Sequence, residues 1–320
     1  MSKENSVENL IRLTGLDTSE YEHPFDKMSL EALEAIPGIP YCTKKLFEFH
    51  LEKLFRIQYS GSYLRVNNRN LPDLYGLFAE ACATLDISEI PELYVEWNYS
   101  VNAFATGVER PIVAIHSGCI DLLSEKELLF ILGHELGHIK SGHVLYKTMG
   151  SIFPAIAEQI GELTLGIGGW AGAGVQLSLL HWSRMAELSC DRSGLLTCQD
   201  LKACISCMMR MAGLPLRYQS RNLLESFLQQ ARDFENIDYK ELDGFIKYTM
   251  SLNLTHPWTV MRASELLSWH ESGDYMKVMK RENRENHLSI KSDDKYCANC
   301  GNRLYYGENF CGGCGTEINN

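Results

Sequence analysis

The stretch Ser124-Glu125-Lys126-Glu127-Leu128-Leu129-Phe130-Ile131-Leu132-Gly133-His134-Glu135-Leu136-Gly137-His138 decides the reading of this chain. Ser124 followed three residues later by Glu127 is a capping-box signature, so a helix begins here. That helix is expected to run from Glu125 to Tyr146. On it His134 and His138 share one face, because residues four apart stand one above the other. Two imidazoles so placed can grip one zinc ion from the same side. Glu135 is turned about 100° away. Its carboxylate then stands beside the open position of the metal and serves as general base toward zinc-activated water.

A catalytic zinc needs a third protein ligand. His143 is one candidate, but the metzincin frame puts glycine three and histidine six residues after the second histidine. Ser141 and Val144 occupy those places. Glu187 is the better candidate. It lies one helical turn before Asp191 on a second predicted helix, running from near Gln176 toward Thr197. One carboxylate can reach the metal while the other orients a ligating histidine. A solvated acidic face explains the same spacing, and spacing alone leaves the choice open.

Around this helix pair the chain reads as α+β, mainly α. Short helices are expected over residues 29–36, 44–58 and 71–85. Three strands are expected at Glu92–Glu96, Ala103–Thr106 and Pro111–His116, which are short, β-branched or aromatic, and separated by Asn and Gly. Further helices are expected across Leu201–Met211, Arg221–Arg232, Tyr239–Ser251 and Val260–Ser272.

At the C-terminus, Cys297-x-x-Cys300 and Cys311-x-x-Cys314 are two knuckles, with Gly301 and Gly315 directly after them. Four thiolates make a closed tetrahedral zinc site. A module of this size cannot build a sufficient core, so the metal has to supply roughly 10–16 kcal/mol of folding energy. The other CxxC, Cys204 to Cys207, falls inside a predicted helix and reads as buried small side chains.

Composition limits the partners. The 320 residues carry a net charge of −11, which disfavours nucleic acid and any polybasic membrane anchor. Seven scattered cysteines are a poor disulfide framework and fit a reducing compartment. The polar first residues show no signal peptide, so a cytoplasmic location is expected. Residues 163–183 lack Asp, Glu, Lys and Arg, but five glycines with Gln176 and His181 favour a buried segment over a membrane span. Membrane association through residues 150–183 is the less favoured alternative.

Four motifs in order resemble the HtpX-like and CAAX-prenyl-protease-like gluzincin metallopeptidases: Asn102-Ala103-Phe104-Ala105-Thr106-Gly107, His134 to His138, Glu187-xxx-Asp191, and Thr255-His256-Pro257 with Arg262. The resemblance covers roughly residues 65–270. It implies a zincin-like catalytic domain with an HExxH active-site helix, with Glu187 as third zinc ligand and Asp191 behind the ligands. It also implies that Asn102, Ala103, Phe104 and Ala105 form a sheet edge that binds extended polypeptide. His256 would stand near the metal as a catalytic residue, and Arg262 would pair with a buried carboxylate. The membrane members carry transmembrane helices that have no clear counterpart here.

The expected organisation is a helical extension at 1–64, a peptidase domain at 65–272, a charged linker at 273–295 and a small β zinc ribbon at 296–320. The expected activity is zinc-dependent endopeptidase action, with one catalytic and one structural zinc. The partners are polypeptide substrate and a protein docked on the ribbon. The rival reading is an inactive peptidase fold acting as a zinc-ribbon adaptor. The intact Glu135 disfavours it.

Overall fold

The computed structural model describes residues 10–36, 39, 51–150, 167–218, 221–236 and 258–280. The chain divides into two units, Met1–Met279 and Lys280–Asn320. The knuckle cysteines, His256 and the helix expected over 239–251 lie outside the described residues.

The first unit is mainly helical with one small sheet. In chain order it contains α1 (Pro24–Glu34), α2 (Leu51–Ser62), β1 (Leu64–Val66), α3 (Pro72–Thr84), β2 (Glu92–Glu96), β3 (Ala103–Thr106), β4 (Ile112–His116), α4 (Ser117–Leu122) and α5 (Glu125–Lys140). After a helical stretch at 143–150 come α6 (Ile167–Cys198), α7 (Leu201–Met211), α8 (Arg221–Asn236), α9 (Thr259–Glu271) and α10 (Asp274–Met279). The last of these occupies the start of the stretch expected to be linker.

The sheet has four strands, not three, in the order β1-β2-β4-β3. β1 has three residues, two of them exposed, so it carries no alternation to betray it. β2 and β4 pair in parallel, with Glu92 opposite Ile112. β3 runs antiparallel to β4, with Ala103 opposite Ile115. This leaves β3 at an edge of the sheet, packed against α5.

The capping box that opens α5 is present. Ser124 Oγ accepts from the Glu127 amide, and Glu127 Oε2 accepts from the Ser124 amide at 2.7 Å. The other Glu127 oxygen takes Arg210 Nε at 3.0 Å and the Ser206 hydroxyl at 2.7 Å, tying α5 to α7. The helix ends at Lys140, six residues before the expected end. Gly142 adopts φ +70°, a left-handed conformation natural to glycine, and the chain turns before becoming helical again at 143. In the other direction, α6 starts earlier than expected, at Ile167. Among the described residues no helix is long and apolar enough to cross a membrane.

Missing side chains set the contact between α5 and α6. A Cβ on Gly133 would stand 2.1 Å from Thr197 Oγ1, and one on Gly137 would stand 2.7 Å from Ser193 Cβ. From the other side, a Cβ on Gly194 would meet Phe130 at 2.7 Å. Ser193 Oγ donates to the Gly133 carbonyl at 2.9 Å across this seam. Gly133→Ala must therefore push Thr197 and its helix aside. Urea unfolding is expected to show a loss of about 1–3 kcal/mol, the usual range for overpacking.

The core is continuous from the sheet to the helices, with Phe78, Ile115, Leu129, Leu132, Leu195, Met208 and Leu266 all buried in it. Cys204 and Cys207 are buried free thiols in the same core. Residues 10–36 are part of it as well. Leu13, Leu16 and Tyr21 are buried in the core, and the Leu13 amide donates to Thr84 O at 2.9 Å. Arg192 of α6 reaches the Glu22 carbonyl at 3.0 Å. The close pair α5–α6, flanked by β3 and α9, frames the buried polar centre.

Candidate metal centre

His134, Glu135, His138, Glu187, Asp191 and Arg262 are all buried. Six such residues in an apolar core carry a heavy desolvation cost unless they satisfy one another. The Glu187 carboxylate lies between the two imidazoles: its Oε2 is 3.2 Å from His134 Nε2, and its Oε1 is 3.1 Å from His138 Nε2. Donor atoms of the three residues all lie within 4.8 Å of one another. Ligands about 2.0–2.1 Å from a tetrahedral ion stand roughly 3.3–3.4 Å apart, so these separations suit one shared cation.

His134 is oriented from behind. Its Nδ1 lies 3.0 Å from Asp191 Oδ1, and Arg262 clamps Asp191 in turn, with Nε 2.7 Å from Oδ2 and Nη2 2.5 Å from Oδ1. Burial alone would raise the Asp191 pKa, but Arg262 and His134 outweigh it and hold the carboxyl below its usual range. Arg262 also places Nη1 3.5 Å from Glu187 Oε2.

The centre already holds a cation. Lys147 Nζ lies 3.1 Å from His138 Nε2 and 3.0 Å from Glu187 Oε1. Burial would lower its pKa, and Glu187 and Glu135 more than reverse that. His134 follows the same pattern: burial opposes its charge, yet Glu187 and Asp191 push its pKa up to about 9. His138 moves the other way. Burial and the neighbouring ammonium depress it well below its ordinary value, leaving a neutral imidazole with a lone pair to give. The Lys147 ammonium thus stands in for the positive charge that the donor set calls for. Glu135 Oε2 is buried and accepts no hydrogen bond among the described residues. An orphaned carboxylate oxygen beside two imidazoles and a second carboxylate fits a divalent metal such as zinc.

The structure therefore brings together the two histidines, Glu187, Asp191 and Arg262 anticipated from the sequence, with Glu135 buried next to them in α5. Ala103 to Ala105 lie in the edge strand β3. The Asn102 carbonyl accepts from the His116 amide at 3.0 Å and from Cys119 Sγ at 3.2 Å. Lys147 and Asp26 were not anticipated. Lys147 has no motif partner nearby in sequence. Asp26 sits in the first turn of α1, where an acidic residue reads as a complement to the helix dipole. His143 is the first residue after the Gly142 turn, and its Nδ1 meets His138 Nδ1 at 3.3 Å.

A sequence model of peptidase family M48 matches residues 70–270. The chain is 34% identical over 273 residues to the plastoglobule-localized metallopeptidase 48, chloroplastic, of Arabidopsis thaliana, covering 84% of this chain and 78% of that one. It is 26% identical over 223 residues to a protease HtpX homolog of Methylibium petroleiphilum, covering 63% of this chain and 76% of the relative. It is also 28% identical over 171 residues to protease HtpX homolog 2 of Methanosarcina mazei, where it spans 47% of its own length and 58% of the relative's. No solved structure matches the chain at a significant level.

Proposed function

The chain belongs to peptidase family M48 and is a zinc-dependent endopeptidase, and from that premise we propose that His134, His138 and Glu187 hold its catalytic zinc while Glu135 acts as general base. The observation that carries this assignment is the buried convergence of His134 Nε2, His138 Nε2 and the two Glu187 oxygens, each imidazole within 3.2 Å of the carboxylate. Zinc supplies Lewis acidity there, polarising the scissile carbonyl and acidifying the attacking water to a pKa of roughly 7.

The protein's own groups do the rest. Glu135 takes the proton of the attacking water on its unpartnered Oε2 and returns it to the leaving amine. Asp191, clamped by Arg262, fixes the His134 ring with Nδ1–H toward the carboxylate and leaves Nε2 for the metal. Arg262 thus acts by positioning. The β3 edge, Asn102 to Ala105, takes an extended polypeptide through main-chain hydrogen bonds, which suits a sequence-tolerant endopeptidase. His256 stabilises the developing oxyanion.

In the C-terminal unit, Cys297, Cys300, Cys311 and Cys314 hold a second, structural zinc in a ribbon that docks a protein partner. The scattered thiols support a reducing, cytoplasmic location.

Metal analysis of the full chain, with a casein assay before and after chelation, tests this reading. Two zincs per chain are expected, with cleavage lost on chelation and restored by added zinc. Cys297→Ser is expected to lower the count to one. Cleavage by fully metal-free protein would overturn the proposal, and loss of both ions in Cys297→Ser would overturn the independence of the ribbon.

A further inference from the structure

Resting on the ligand assignment just made, we propose that Asp26 and His143 are positioning residues for the metal: a relay Asp26–His143–His138 that orients the second zinc-binding imidazole from α1. His134 has its Nδ1 fixed directly by Asp191. His138 has no carboxylate at its Nδ1 among the described residues; the ring of His143 stands there instead, Nδ1 to Nδ1 at 3.3 Å. The far side of that ring, Nε2, lies 3.2 Å from Asp26 Oδ2. With His138 Nε2 given to the metal, its Nδ1–H donates to His143 Nδ1. His143 must then carry its own proton on Nε2 and donate it to Asp26. One tautomer of each ring satisfies the whole line, and Asp26 selects it.

Asp26 is itself locked in place. The Ser189 hydroxyl donates to the same Oδ2 at 2.6 Å, and the His23 amide donates to Ser189 Oγ at 2.9 Å. His23 Nδ1 accepts from the Phe25 amide at the start of α1, and its Nε2 meets Glu265 Oε2 of α9 at 3.1 Å. Asp26, His143 and Ser189 are all nearly fully buried. Trp182 packs against the His143 ring edge to face, with centroids 5.5 Å apart, and holds its plane. A competitor for His143 Nδ1 is Cys190 Sγ at 3.5 Å. Burial keeps that thiol protonated, a weaker donor than an imidazole N–H. A buried carboxylate carried by a separate helix to a histidine that touches a ligand is more than anchoring demands, since the backbone contacts of residues 21–23 already fasten α1. Asp26 also lies outside residues 70–270, so this support is additional to the part of the chain that the family pattern describes.

The test measures metal affinity of the full chain by chelator competition with zinc(II), and the ligand-field spectrum after cobalt(II) substitution. Asp26→Asn and His143→Phe are each expected to weaken binding at this site by about 10–100-fold and to shift the cobalt band. The double variant is expected to be no weaker than the weaker single, since both break one line. Wild-type affinity and spectrum in both single variants, with only a lower melting temperature, would overturn the relay, and so would full additivity. Should Asp26→Asn fail to fold, His143→Phe decides the matter alone. A thiolate charge-transfer band lost on Cys190→Ser would place the ion between His138, His143 and Cys190 and also overturn it. His138→Ala separates the two layers of the argument. If that variant still takes up two cobalt ions per chain, the ligand assignment fails and the relay with it. If it takes up one while the Asp26 and His143 variants keep wild-type affinity for two, the relay alone fails.

Discussion

Glu135→Gln is expected to leave zinc content and thermal stability unchanged and to abolish measurable cleavage of casein. The glutamine keeps the shape of the side chain and ligates nothing, so the metal site stays assembled. What it loses is the capacity to accept a proton. General-base assistance is worth about 10²–10⁴ in rate, and Glu135 Oε2 is a buried carboxylate oxygen without a hydrogen-bond partner among the described residues. His134 cannot replace it, since its Nδ1 is turned to Asp191 and its Nε2 lone pair is given to the metal. Single-turnover rates on a fluorogenic peptide, beside metal content from the same preparation, measure the effect. Wild-type cleavage by zinc-loaded Glu135→Gln would remove Glu135 from the reaction. Because the variant is expected to bind substrate through the unaltered β3 edge, it also serves as a trap for the proteins this enzyme processes.

Asp191→Ala is expected to damage both fold and metal site. The Arg262 guanidinium is buried and makes its two shortest contacts to Asp191. Removing the carboxylate strands that charge, leaving the longer approaches of Nη1 to Glu187 Oε2 at 3.5 Å and of Nη2 to His134 Nδ1 at 3.4 Å. Breaking a buried pair from one side costs about 3–5 kcal/mol. The same substitution frees the His134 ring, and loss of such a partner weakens metal binding by about 10–100-fold. Urea unfolding of the metal-free chain reads the first effect, and chelator competition the second. Pairing the change with Arg262→Met is expected to recover part of the stability, because no charge is then stranded, but none of the metal affinity. An Asp191→Ala chain as stable as the parent would show that Arg262 finds other partners.

What could be read from the sequence was local. His134, Glu135 and His138 fall within two turns of one helix, and the Ser124–Glu127 box announced where that helix starts. Glu187 and Asp191 declare themselves by a one-turn spacing, yet only the fold settles that they face α5 and not solvent. The helix end is hidden in the sequence because the apolar pattern continues past Lys140, while the turn depends on one glycine, Gly142, adopting a left-handed backbone. β1 escaped because a three-residue edge strand has no period to detect. Asp26 and Lys147 were beyond reach for a deeper reason. Asp26 arrives from α1 and Lys147 from the helical stretch just past the Gly142 turn, and nothing beside either in sequence records the destination. Glu127 shows both cases in one residue: its cap was legible, and its ion pair with Arg210 was not.

The seam of Gly133, Gly137 and Gly194 gauges the two helices that carry His134, His138 and Glu187. Bare backbone sets their separation. A methyl group added there would prise the imidazoles away from the Glu187 carboxylate, so tolerance to substitution is expected to be low at three residues that do no chemistry themselves.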